Sequence, residues 1–136
     1  MATSTYLSSP VVTVNAVDLT DQCNAAAITR FLEALESTAF GSSSRVYVKG
    51  LENSTLTLSL YNSFALTETY ATLNALVGTS TTVTLKPTSA ATSATNPIFT
   101  LTGTYLETLP LVNGQLGALD TIDIVFTGGV FSVAIV

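Results

Sequence analysis

Chemistry in this chain has little to work with. The 136 residues contain no histidine and one cysteine, Cys23, with nine Asp and Glu against four Lys and Arg. A thiol with no imidazole to take its proton reads as a small apolar side chain, not a nucleophile. One cysteine also forms no intrachain disulfide. The carboxylate pairs that could share acid and base work are Asp18/Asp21 and Asp120/Asp123. The first pair sits in a turn, where Asp commonly caps its own backbone. Asp123 shares a strand face with Thr121, and nothing nearby completes a site. "DLTDQ" lacks the oxygen-ligand spacing and the glycine of a calcium loop, and "TGG" at 127–129 reads as a turn, not a phosphate cradle. Asn53-Ser54-Thr55 matches a glycosylation acceptor, which matters only in a secreted chain. No enzyme, cofactor or metal is therefore expected.

The cations are as sparse. Arg30, Arg45, Lys49 and Lys86 lie on separate segments, so no basic patch is offered to nucleic acid, and the net charge is −5. Charged residues make up 10% of the chain, against about 25% in ordinary soluble domains. No apolar run approaches the roughly 18 residues of a membrane span, and no basic segment leads into an apolar run at the N-terminus. So no membrane partner and no secretory leader are expected. A chain this poor in charge should hide much of its surface against other chains.

The elements are mostly strands. In "TLTLSLY", Leu56, Leu58 and Leu60 face one way, with Thr55, Thr57 and Ser59 opposite. "TTVTLK" sets Val83 and Leu85 against Thr82, Thr84 and Lys86. "IFTLTGTYLE" sets Phe99, Leu101 and Tyr105 against Thr100, Thr102 and Thr104. "TIDIVFT" turns Ile122, Ile124 and Phe126 inward, and "VVTVN" at 11–15 opens the series. Turn signals "KGLENS", "TNP" and "VNGQLG" separate the runs. "SFALTETYATLNALVG" carries Leu66, Tyr70, Leu73, Leu76 and Val77 on one helical stripe. That predicts a single flanking helix over about residues 64–77, stopped by Gly78. Residues 26–40 fit helix by propensity and strand by their Ile28, Thr29 and Phe31, so both stay open. The whole of 1–136 reads as one mainly β, antiparallel domain, a β-sandwich or barrel-like fold, with a flexible arm over 1–10.

The outward strand faces are Thr and Ser where many monomeric β-sandwiches carry Lys and Glu to discourage pairing. "KPTSAATSATNP" continues the theme with a neutral, inert connection. Such faces suit neutral contact with a neighbouring chain, and they suit equally a secreted β-sandwich binding module with a Thr-rich surface.

Several segments also resemble a known family in order and content: "VTVNAVDLTDQ", "STAFG", "VKGLENSTLTLSLY", "TLNALVGTSTTVTLKPTSAATSATNPIFTLTGTYLE" and "GQLGALDTIDIVFTGG". Together they are similar to the small major tail, or tail tube, proteins of long-tailed bacteriophages (the short siphophage type). Two features depart from the pattern: Ala16 replaces the Gly usual after "VN", and "ITRFLEALEST" is more helix-like than the family's strand. The resemblance implies a virion structural protein, assembled in the host bacterial cytoplasm, whose self-association gives hexameric rings stacked into a tube through which DNA passes without specific binding. It further implies joined sheets around a lumen and an extended loop reaching the adjacent ring. Mapped here, that loop is Thr38 to Asn53, with Arg45, Tyr47, Lys49 and Glu52 as inter-subunit contacts. Other tail or head proteins would be its partners. A capsid decoration or head-to-tail joining protein is the other virion part these segments allow.

Overall fold

Alternating apolar and hydroxyl residues favour pleated backbone with one dry face, and the chain is built from such segments. A computed structural model describes residues 10–136, so the arm expected over 1–10 lies outside the described residues except for Pro10. The strands are β1 (Val11–Val14), β2 (Val17–Asp18), β3 (Cys23–Thr29), β4 (Leu32–Glu36), β5 (Tyr47–Glu52), β6 (Thr55–Tyr61), β7 (Ser80–Lys86), β8 (Ile98–Leu106), β9 (Thr121–Thr127) and β10 (Val130–Ala134). Helix α1 (Thr69–Leu73) stands between β6 and β7. One antiparallel sheet runs β2-β1-β7-β8-β9-β6-β3, with β10 also on β8, while β4 and β5, among the described residues, pair only with each other.

Both ends of this sheet feed one core. Val12 and Val14 of β1, Val83 of β7 and Leu101 of β8 join Leu56, Leu58 and Leu60 of β6 and Ile122, Ile124 and Phe126 of β9. The expected sandwich is thus a sheet folded over on itself. Within residues 26–40 the regular elements are strands and not helix, over 26–29 and 32–36: β3 pairs along β6 from Cys23↔Leu60 to Thr29↔Thr55, and β4 pairs with β5.

Three expectations change in detail. The first is the inward face of β8, where Tyr105 is exposed and Thr104 and Leu106 are buried. Thr81 and Thr82 of β7 pair with Thr104 and Thr102, so Gly103, at φ +75°, is an extra residue that reverses the faces after it. Buried Thr104 donates its hydroxyl to the Thr127 carbonyl at 3.0 Å.

The second is "TGG". Phe126 and Thr127 pair with Leu106 and Tyr105, and Val130 to Ala134 pair with Thr102 to Ile98, in one continuing register. Gly128 and Gly129 (φ +76° and +83°) therefore kink a ladder and do not reverse the chain. A Cβ on Gly129 would stand 2.6 Å from the Thr102 carbonyl oxygen, so the kink lies directly against the β8 bulge. At this corner β9 leaves β8 to pair with β6, and β10 stays on β8.

The third is the helix, which spans Thr69–Leu73 and not 64–77. Thr67 at φ +61° breaks it upstream. Downstream, Val77 bridges to Leu106 and the Gly78 N–H donates to the Leu106 carbonyl at 2.9 Å, drawing the chain away to β8. Leu73 and Leu76 still reach the core, whereas Leu66 is exposed.

Candidate assembly surface

The β4–β5 hairpin is where this chain departs from the rule that apolar residues go inside. Every residue of β4 and most of β5 are exposed, among them Leu32, Leu35, Tyr47, Val48 and Leu51. The register sets Leu35 opposite Val48 and Glu36 opposite Tyr47, so both faces carry apolar surface. A lone two-stranded ladder is marginal in water. This one is braced at its ends.

At the root, Ser54 is fully buried and its hydroxyl accepts from the Phe31 N–H at 3.3 Å. The Asn53 N–H donates to the Phe31 carbonyl at 3.0 Å. Ser54 of the Asn-Ser-Thr triplet therefore works as a structural residue. Glu52 accepts from the Phe131 N–H of β10 at 2.9 Å, and the Arg30 guanidinium lies 5.2 Å above the Phe131 ring. At the far end Arg45 pairs with Glu36 at 2.8 Å, and the Val46 N–H donates to the Thr38 hydroxyl at 2.9 Å. A turn from Ala39 to Ser42, closed by the Ser42 N–H to the Ala39 carbonyl at 3.1 Å with Gly41 at φ +94°, caps the hairpin. Phe40 stands on it, fully exposed.

The four expected contact residues are thereby placed on one hairpin in two kinds of setting. Tyr47 and Lys49 are exposed on β5. Arg45 and Glu52 are engaged within their own chain, bracing tip and root. The expected loop over Thr38 to Asn53 is partly strand, since β5 falls inside it. Phe31, one of the residues that favour strand over 26–40, stands exposed between β3 and β4, and the exposure of Leu35 on β4 and of Phe40 on the turn leaves no periodic signal in the sequence.

A second apolar surface lies at the opposite end of β6. The hairpin joins β6 at Thr55, whereas Asn62, just past Tyr61, fixes residues 107–120. Its amide donates to the Asp120 carboxylate and to the Leu111 carbonyl, both at 2.9 Å. Asp120 also accepts from the Asn113 N–H at 3.1 Å, and the Asn113 amide donates to the Thr121 carbonyl at 3.1 Å. Leu111, Val112, Leu116 and Leu119 stand exposed on the loop these bonds hold, and Phe64 and Leu66 are exposed on the segment following Asn62. A hollow of about 400 Å³ opens here, lined by Asn113, Gly114, Gln115, Ala118, Leu119 and Thr121.

The carboxylates form no reactive set. Asp18 accepts from the Thr20 N–H at 2.8 Å, the local cap expected of it. Glu107 and Asp123 border a hollow of about 240 Å³ with Thr108, Val125 and Thr127, a lining with no histidine, thiol or cation. Among the described residues, no three metal-binding side chains cluster. Burial pushes the Cys23 thiol up from its ordinary pKa, against a smaller lowering by the Ala25 carbonyl contact, so it stays protonated at neutral pH. No helix among the described residues is long and apolar enough to cross a membrane.

No family model matches the chain, and no curated protein does. Solved structures do. A chain from the sheath/tube terminator of an extracellular contractile injection system (PVC, extended state) is similar at a TM-score of 0.71 and 11% identity, over 98% of each chain. A chain of the native gene transfer agent virion matches at 0.67 and 11% identity, over 96% of this chain and 99% of that one. A chain in the tail of the empty gene transfer agent particle, solved with C6 symmetry, matches at 0.56 and 13% identity, over 83% and 82%. The fold is one shared with components of phage-like particles and their tails. At these identities the likeness is one of architecture, and it agrees with the family resemblance of the sequence.

Proposed function

We propose that this chain is a structural subunit of a phage tail tube: copies join edge to edge into six-membered rings, and rings stack into a channel for DNA. The observation that carries the reading is the β4–β5 hairpin, braced at both ends yet apolar on both faces, a form that suits burial between subunits. Among the described residues the outer edge of β3 ("CNAAAIT") and that of β10 ("VFSVA") have no strand partner and are free of charge, which suits strand addition by a neighbour. The six-fold symmetry of the similar gene transfer agent tail supports the ring size.

The role is mechanical, without catalysis or metal. DNA adhesion depends on cations that neutralise phosphate. Arg45 is already paired with Glu36, Arg30 sits on Phe131, and the net charge of −5 leaves a channel that does not grip its cargo. A tail-terminating ring is the second reading, favoured by the likeness to a terminator chain. Electron microscopy of concentrated purified protein separates the two. Tubes are expected; single rings of fixed height would favour the terminator, and a strict monomer at all concentrations and salts would overturn both.

A further inference from the structure

The outer edge of β10 carries no charge in its own sequence, yet one of its donors is already taken. Phe131 stands opposite Leu101 of β8, and its N–H donates to the Glu52 carboxylate of β5 at 2.9 Å. Alternate residues of an antiparallel ladder turn their N–H and C=O toward the partner strand and away from it. With its N–H on Glu52, Phe131 belongs to the outward set, and so does Val133 two residues on. These are the groups that a strand added to this edge must use. We infer that Glu52 is an autoinhibitory guard on the β10 edge, holding the Phe131 N–H until a strand of a second copy displaces it. The inference rests on the assembly reading above and adds to it a control on edge joining.

The guard is held in place from behind. Buried Ser54 donates its hydroxyl to the same Glu52 oxygen at 3.2 Å and accepts from the Phe31 N–H at 3.3 Å. The Ser54 carbonyl accepts from the Gly128 N–H at 3.0 Å, which ties the hairpin root to the kink leading into β10. Arg30, just before β4, lies over the Phe131 ring, and that ring stacks on Phe99 of β8 at 6.0 Å. Both feet of the hairpin thus bear on one residue of β10.

An uncharged exposed edge invites pairing with any other strand, and a charge set against it is how sheets resist this. β10 ("VFSVA") has no such charge of its own, and Glu52 brings one from 79 positions away. One charge-assisted hydrogen bond is worth less than a row of ladder bonds made together, so a matching strand displaces the guard and a poorly fitting one does not. Displacement also frees the hairpin root. Edge joining and release of the hairpin are therefore one event.

The test reads amide exchange and assembly in the same proteins. In the parent, kept monomeric by dilution, the Phe131 amide should exchange about tenfold or more slowly than the Val133 amide, after correction for intrinsic rates. In Glu52→Ala the two should match. Glu52→Gln, which keeps an acceptor oxygen on the same stem, should protect Phe131 in part. On concentration, Glu52→Ala should assemble about tenfold faster than the parent, with Glu52→Gln between them. Arg30→Ala, which leaves the N–H held, should move both readouts less than Glu52→Ala does. A residue that merely stiffened the hairpin would slow assembly when removed, so the sign decides. Phe131 exchanging as fast as Val133 in the parent, a comparison that needs no variant to fold, would overturn the guard and leave the tube reading standing. Assembly of folded Glu52→Ala no faster than the parent would do the same. Assembly by none of these proteins would overturn the tube reading, and the guard with it.

Discussion

The β6–β9 pair and the β4–β5 hairpin are both antiparallel ladders, and they spend their apolar residues in opposite ways. In the first, Leu56, Leu58 and Leu60 stand opposite Phe126, Ile124 and Ile122, all buried, while Thr57, Ser59 and Asp123 keep to the outer face. In the second, Leu35 stands opposite Val48 and Leu32 opposite Glu52, with Leu32, Leu35, Val48 and Leu51 all in solvent. A strand whose apolar side is satisfied within its own chain shows period two, because the other side meets water. The β4–β5 hairpin, exposed on both sides, has no such reason to alternate. Regular alternation thus marks the strands that build the core, and its failure marks the hairpin that stands outside it.

The sharpest way to break that comparison is to truncate one residue in each ladder. Phe126→Ala should cost about 3–5 kcal/mol of monomer stability, as a fully buried aromatic leaves a cavity. Leu51→Ala, on the hairpin, should stay within about 0.5 kcal/mol of the parent in the same urea titration and yet lose assembly. Comparable losses of stability would mean that the hairpin belongs to the monomer's own core.

The corner between the sheet's two halves gives the next effect in size. Gly129 and Gly128 are neighbours with positive φ, but a Cβ on Gly129 strikes the β8 backbone while one on Gly128 meets nothing within 4 Å. Gly128→Ala should therefore cost about 1 kcal/mol, the left-handed backbone alone. Gly129→Ala should cost about 2 kcal/mol or more, because rigid strand must move as well. Equal melting temperatures for the two variants would show that β10 yields freely at this corner and is not locked to β8.

How much of this was legible follows the same division. The inward faces of β6 and β9 and the inward Val83 of β7 were readable because burial on one side stamps period two on a strand. Tyr105 was misplaced because Gly103 adds a residue to β8, and a single glycine in a run does not announce which register follows it. "TGG" resembled a turn because two glycines with left-handed backbone serve a tight hairpin and a kinked ladder equally well. The helix is shorter than its apolar stripe from Leu66 to Val77 because Thr67 and the Val77 bridge to Leu106 override it. Phe40 and the hollow had no signal at all. One is a lone exposed residue, and the other exists only once Asn62 and Asp120 are brought together across 58 positions.

The neutral loop before β8 offers a third comparison, with the hairpin tip. Asn96 is buried, and its amide donates to the Ala90 carbonyl at 2.9 Å and to those of Thr88 and Ala91, while its carbonyl oxygen accepts from the Thr88 N–H at 3.1 Å. The chemically inert surface is thus organised around one inward amide, where the tip relies on an exposed ion pair. Asn96→Ala should cost about 1–3 kcal/mol by leaving buried backbone groups unpaired. Hydrogen exchange should quicken across residues 88–96 and leave β6 unchanged. Arg45→Ala, removing an exposed pair, should cost less than about 1 kcal/mol. A larger loss at Arg45 than at Asn96 would invert the ranking.

The smallest effect has the opposite sign. Val14 pairs with Val17, so Asn15 and Ala16 alone make the β1–β2 turn, at φ +49° and +65°. Two consecutive left-handed residues define the hairpin turn that matches strand twist, for which Asn-Gly is the favoured pair. Asn15 tolerates that backbone, but Ala16 places a Cβ against the neighbouring carbonyl at a cost of about 1–2 kcal/mol. Ala16→Gly removes this strain and gives back roughly 0.5–1 kcal/mol through the greater freedom of glycine in the unfolded chain. The net expectation is a gain of about 0.5–1 kcal/mol, read as a rise in melting temperature of about 2–4 °C for a chain of this size. The turn belongs to the main sheet, with which the β4–β5 hairpin shares no strand pairing among the described residues, so stacking should be untouched. An unchanged or lower melting temperature would mean that Ala16 bears no strain in solution and that the turn adopts another form.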